Sequence, residues 1–157
     1  MIKYTNSQIT FREIPDEITL CINISNCPFK CKGCHSKELW KDVGNPLTKR
    51  EIDGLLQKGV SCISFMGGDS DLASLASLLF YIRTKYPKLK TAWYTGRKEV
   101  PFKNFPLILL DYIKLGPYIE ERGPLDNPNT NQRLYELYHK NLLTYFKDIT
   151  YKLWNQK

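Results

Sequence analysis

Long apolar runs are missing from this chain, histidine is scarce, and no second cysteine pair balances the one cysteine cluster. Each absence narrows what the protein can be. No apolar run approaches the roughly 20 residues needed to cross a bilayer, so no membrane partner is expected. The opening stretch, MIKYTNSQITFREIPDEIT, lacks the apolar centre of a signal peptide. A cytoplasmic address is therefore expected, and in a reducing compartment clustered cysteines are ligands rather than disulfides. No repeat, low-complexity tract or linker divides the 157 residues, so one domain spanning 1–157 is expected. About two-thirds of the unfolded surface can be buried at this length, enough for a core without covalent staples.

Charge is present in excess of one sign. Lys and Arg total 23 against 16 acids, a formal charge of +7. The basic residues are spread along the chain with no block of five or six like charges, which argues against a nucleic-acid partner. An acidic protein or an anionic small molecule would use the same field equally well.

The order of elements points to an α/β fold. Residues 17–25, EITLCINIS, are rich in β-branched side chains and read as a buried strand. Residues 47–59 read as a helix, with Thr48 and Glu51 in capping-box spacing and Ile52, Leu55 and Leu56 on one face. A second strand is expected over 60–68, ending in paired glycines. The next helix, SDLASLASLLFYIRTKY, places Leu72, Leu75, Leu79 and Ile82 at helical spacing and stops at Pro87. Strands follow over 90–96 and 107–116, separated by a proline-containing irregular piece, and DITYKLW near the end alternates like a half-exposed strand. This order predicts a largely parallel sheet. The chain is too short for an eight-fold barrel of about 250 residues, so an open, partial (β/α) barrel is expected. Ligands of parallel sheets sit at the carboxyl ends of strands, and there lie the cysteines, Gly67-Gly68-Asp69, and Thr95-Gly96.

Three of the five cysteines, Cys27, Cys31 and Cys34, fall in the stretch NISNCPFKCKGCHSKELW with the spacing C-x3-C-x2-C. Cys21 and Cys62 lie inside apolar strands and read as small core residues. The other three sit in a polar loop that makes a poor core. Structural zinc wants four ligands in a closed tetrahedron. His35 directly follows Cys34, and adjacent residues rarely both reach one small ion. An iron–sulfur cluster is a larger target, and thiolates from one curled loop can each reach a different iron. A closed cubane takes four cysteines; three leave one iron open to a ligand.

With these motifs in view, the chain resembles the radical S-adenosylmethionine superfamily. NCPFKCKGCHSKELW, SFMGGD, AWYTG and TNQRLY resemble, in order and spacing, the activating proteins of anaerobic (class III) ribonucleotide reductase. That resemblance implies a [4Fe–4S] cluster on Cys27, Cys31 and Cys34, with S-adenosylmethionine chelating the open iron. Its implied activity is reductive cleavage of S-adenosylmethionine to a 5′-deoxyadenosyl radical, which takes a hydrogen from a glycine of the large reductase subunit. The partners implied are that subunit and a reducing electron donor such as a flavodoxin, and no catalytic side chain is implied beyond the cluster. Gly67, Gly68 and Asp69 match the segment that holds the methionine moiety; alternatively, Asp69 or Ser70 caps the next helix. Thr95 and Gly96 match a segment near the cofactor. Phe29 is expected to shield the cluster, and Asn131, Gln132 and Arg133 to lie at the mouth of the site. His35 stands where many relatives carry an aromatic residue for adenine stacking, and its flat imidazole is expected at the cofactor; Asp111 and Lys114 have no assigned role. Two other readings stay open: a small radical enzyme acting on a small molecule, of the deazapurine-precursor synthase type, and a zinc-stabilised nucleic-acid-binding module.

Overall fold

A computed structural model describes residues 1–154. Eight strands form one sheet in the order β3-β1-β2-β4-β5-β6-β7-β8. They are β1 (Lys3–Thr10), β2 (Thr19–Ile24), β3 (Asn45–Pro46), β4 (Cys62–Met66), β5 (Lys90–Tyr94), β6 (Tyr112–Leu115), β7 (Arg133–Lys140) and β8 (Leu143–Asp148). Two α-helices accompany them among the described residues, α1 (Lys49–Leu55) and α2 (Leu72–Lys85). None of the described helices is long and apolar enough to cross a membrane.

The sheet corrects the expected architecture. Only β2–β4, β4–β5 and β5–β6 pair in parallel. β1–β2, β1–β3, β6–β7 and β7–β8 are antiparallel. The molecule is thus a mixed sheet with a short parallel centre, not an open partial (β/α) barrel with a largely parallel sheet. The reason lies in the crossovers. A parallel sheet that curls into a barrel needs a helix after each strand to cover its outer face. Between β5 and β6 the chain carries Pro101 and Pro106 and makes only a 3-10 turn at Leu107–Leu109. The outer strands then add antiparallel, a pairing that needs no crossover helix.

Sequence periodicity located the central elements and missed the edges. α1 starts at the expected cap, with Thr48 Oγ1 accepting from the Glu51 N–H at 3.1 Å, but it ends at Leu55, four residues early. α2 buries Leu75, Leu78, Leu79 and Ile82 against Ile22, Ile24, Ile63, Phe65 and Trp93 in the main core. β6 begins five residues later than the apolar run suggested. DITYKLW is not a strand: β8 ends at Asp148, and Thr150–Leu153 form a 3-10 turn. Asp148 Oδ1 stops the strand by accepting from the Thr150 N–H at 3.0 Å and its hydroxyl at 2.6 Å. The β7–β8 hairpin turns through Asn141 and Leu142, both at positive φ (52° and 65°). A leucine in the seat usually taken by glycine conceals the turn.

Candidate metal centre

β2 is buried almost throughout, and its apolar run stops at Ile24, where Ser25 and Asn26 begin the cysteine loop. Asn26 (φ 62°), Lys30 (φ 47°) and Gly33 (φ 75°) take left-handed conformations and curl it. The segment that follows straps the loop down. Asn26 N–H donates to Lys41 O and Cys27 N–H to Leu39 O, both at 2.9 Å, and Ser25 Oγ donates to Val43 O at 2.6 Å. Further along, Cys34 N–H donates to Cys31 O at 3.1 Å, and Ser36 N–H donates to the Cys34 sulfur at 3.4 Å. Hydrogen bonds to sulfur are one of the levers by which a protein sets a cluster's potential.

Cys27, Cys31 and Cys34 line one cavity of about 160 Å³. Its other walls include the carboxyl ends of the parallel strands: Ile24 of β2, Met66 ending β4 and Gly67 after it, Tyr94 ending β5 with Thr95 and Gly96 after it, and Lys114 and Gly116 at β6. The expected strand-end residues therefore meet, although the sheet around them is mixed. The parallel centre, and not the whole sheet, builds the mouth.

Two glycines here are required by contact. Gly67 sits at φ 110°, and a Cβ there would lie 3.1 Å from Ile24 O. Trp93, fully buried, donates its indole N–H to Gly67 O at 2.9 Å and pins this turn. A Cβ on Gly96 would lie 2.6 Å from the Phe29 ring, so the strand end and the cysteine loop interlock at that point. Gly68 faces away, toward Leu75 of α2.

Asp69 lines the cavity with its side chain 2 % exposed. Its Oδ1 accepts from Thr95 Oγ1 at 2.5 Å and from Arg97 Nε at 2.9 Å. Burial raises its carboxyl above the usual range, and the Thr95 hydroxyl and Arg97 charge work against that rise. The helix is capped by neither Asp69 nor Ser70. Asp71 does so, Oδ1 accepting from Ser74 N–H at 3.0 Å, which leaves Asp69 to the cavity.

Lys114 stands in the same cavity, almost fully buried, with only neutral partners: Gln132 Oε1 at 2.9 Å and Gly116 O at 3.0 Å. Burial pushes its ammonium down to about 8, against the pull of Asp69 and the Cys31 and Cys27 thiols. Asp111 lies elsewhere. It lies just before β6, at the far end, held by Arg83 at 2.8 Å and by the Thr91 N–H at 2.9 Å. His35 does not line the cavity; it meets edge-on the ring of Tyr118, which does, with centroids 5.6 Å apart. Sequence reasoning missed Arg97, Trp93 and Tyr118. For Arg97 a signal existed, a cation just past a strand-end Thr-Gly; Trp93 and Tyr118 carried none.

The donor set suits a multi-iron group. Three free thiols reach the cavity from one curled loop, a geometry in which each can hold a different iron. Among the described residues, no three His, Cys, Asp or Glu side chains gather as a single-ion site requires. Cys21 and Cys62 are buried in the sheet, where burial pushes the Cys21 thiol up to about 12 and holds that of Cys62 well above its ordinary value.

No curated protein and no solved structure matches the chain. A family model described as a 4Fe-4S single cluster domain matches residues 18–133, from the residue before β2 to the first of β7, taking in the cysteine loop and every strand end at the cavity. The chain belongs to this family of 4Fe-4S single cluster domains.

Proposed function

We propose that this chain reductively cleaves S-adenosylmethionine and uses the product radical to install a glycyl radical on the large subunit of an anaerobic ribonucleoside-triphosphate reductase. Cys27, Cys31 and Cys34 would hold the cluster, and a reduced donor of the flavodoxin kind would supply the electron. When bound, the cluster contributes electron transfer and one iron without a protein thiolate, to which an amino-acid group can bind.

The observation that carries this reading is the pair of buried charges beside the thiols. Asp69 and Lys114 line one cavity with the three cysteines. A carboxylate and an ammonium that do not bond each other suit a zwitterionic ligand, whose ammonium faces the acid and whose carboxylate faces the lysine. The methionine end of S-adenosylmethionine is such a zwitterion. Thr95 and Arg97 hold the Asp69 carboxylate in place, and Gln132 orients the Lys114 ammonium. Phe29, Leu39, Trp40 and Tyr118 supply apolar wall that keeps water from the centre.

The test begins with protein purified without oxygen. About four irons and four sulfides per chain are expected, together with a change in the cluster's electron paramagnetic resonance signal on adding S-adenosylmethionine. Mixing with the reductase of the same organism, under reducing conditions, is expected to give a glycyl radical signal. One zinc per colourless chain, or a cluster whose signal ignores S-adenosylmethionine, overturns the reading. A cleaved cofactor without a glycyl signal overturns its protein-activating half.

A further inference from the structure

A second cavity, of about 390 Å³, adjoins the first, and Gly116 is common to both walls. Alternation along the chain separates them. Gln132 turns into the cysteine cavity, while Asn131 and Arg133 on either side of it line the neighbour. Lys114 and Leu115 divide in the same way.

We propose that this second cavity binds an extended acidic segment of the protein partner, beside the centre that acts on it. In naming the partner as the protein being activated, the assignment rests on the function proposed above. Two cations and no acid line the cavity. Lys98 is exposed and pairs with no acid among the described residues, and Arg133 holds Asp148 only loosely, at 3.7 Å. The third feature is an acceptor. Asn131 Nδ2 donates to Pro117 O at 3.0 Å, while Asn131 Oδ1 is buried with no hydrogen-bond partner. The amide cannot be turned round, because the Pro117 carbonyl only accepts. A buried acceptor without a donor is costly; Asn131 lines the cavity, and a small turn of its side chain would bring the closed-off Oδ1 to a ligand N–H.

The occupant must therefore bring both an anion and a hydrogen-bond donor. Inorganic phosphate carries both at neutral pH, but it offers nothing to the apolar wall of Leu115 and Pro117. A peptide with Asp or Glu brings a carboxylate for Lys98 and Arg133 and a backbone N–H for Asn131, and Leu115 and Pro117 offer apolar wall to a neighbouring side chain. The formal charge of +7 favours approach of an acidic partner.

The probe is a fluorescein-labelled, amidated pentapeptide containing one glutamate between glycine and leucine, titrated into the cluster-loaded protein by anisotropy. Its glutamine counterpart is expected to bind roughly tenfold more weakly, as are unlabelled free glutamate and inorganic phosphate in competition. Lys98→Glu and Arg133→Gln are each expected to weaken the glutamate peptide by about threefold to tenfold, and added salt to weaken it further. Both side chains are at least partly exposed, and unchanged circular dichroism will show that the variants fold. Equal affinity for the glutamate and glutamine peptides, phosphate competing as well as peptide, or indifference to Lys98→Glu overturns the assignment. Cleavage of S-adenosylmethionine without any partner is measured on the same samples and is expected to stay at the wild-type rate in Lys98→Glu. Peptide binding without such cleavage in the wild type removes the activase reading and leaves a peptide site; cleavage without peptide binding removes the peptide site alone.

Discussion

The two ends of the parallel strands both bury charge, and they differ in how fully it is answered. At the starting end, Glu17 is enclosed by Lys90 at 2.6 Å, Ser61 Oγ at 2.5 Å and Tyr112 OH at 3.1 Å. Asp111 is likewise met by Arg83, Thr91 N–H and the Thr91 hydroxyl. Every carboxylate there is answered by a cation belonging to the fold. At the finishing end Asp69 is likewise paired with Arg97, but the Lys114 ammonium meets only neutral oxygens and three thiols remain free. A closed network stabilises the sheet; an incompletely answered one prepares a place for a ligand. The same contrast separates the cysteines, since Cys21 and Cys62 are packed between strands and Cys27, Cys31 and Cys34 face a cavity.

Substitutions can break this contrast, and the largest effect should come from the thiols. Cys27→Ala, Cys31→Ala or Cys34→Ala is each expected to abolish cleavage of S-adenosylmethionine and to lower bound iron, whereas Cys21→Ala and Cys62→Ala keep both. Iron and sulfide counts with a cleavage assay decide it, and a Cys62→Ala as damaging as Cys31→Ala would end the three-thiolate assignment. Next in size, Asp69→Asn should weaken S-adenosylmethionine binding by at least about thirtyfold, the lower end of the range for losing one member of a buried charge pair. The amide oxygen can still accept from Thr95 and Arg97, so the fold should persist. Equal affinity in wild type and variant, by calorimetry, would take Asp69 out of the site.

At the other end, Glu17→Gln should cost about 1–3 kcal/mol of stability and leave S-adenosylmethionine affinity unchanged. The lower figure reflects Lys90, whose side chain is half exposed. Burial works to raise the Glu17 carboxyl, but hydrogen bonds from Lys90 and Ser61 and the Lys90 charge hold it below its ordinary value. A depressed carboxyl stabilises the fold above the unfolded-state value and ceases to do so as pH falls through the folded-state value. The gap between wild type and Glu17→Gln in urea denaturation should therefore be full at pH 7 and close in acid below pH ~4. A gap that persisted at low pH would show packing, not charge, at work. The smallest effect belongs to Asp71→Ala, which removes the α2 cap and should lower stability by about 1 kcal/mol, with no change in iron content.

The site was more legible than the fold. C-x3-C-x2-C is read directly from spacing, and Gly67 and Asp69 from their place after an apolar strand. Arg97 and Tyr118 were not, because their partners are distant in sequence: Arg97 reaches back to Asp69 and His35 meets Tyr118. The central strands announced themselves as apolar runs. β1, KYTNSQIT, is polar and half exposed, and β7–β8 hides its turn in Asn-Leu. Reading only the apolar strands produced a parallel sheet, since those buried on both faces are the ones that pair in parallel. The matched family stretch stops just inside β7 and likewise omits most of the antiparallel edges.

By itself the sequence determined the donor chemistry, because three thiols within eight residues can be gathered by local turns that Asn, Lys and Gly allow. It also determined the helices and the central strands, which depend on nearest-neighbour periodicity. Tertiary structure decided the sheet's mixed topology, the release of Asp69 from capping to the cavity, and the isolation of Lys114 among neutral oxygens. Those outcomes depend on which strands become neighbours and on what surrounds a charge once water is excluded, and neither is written in any local stretch of residues.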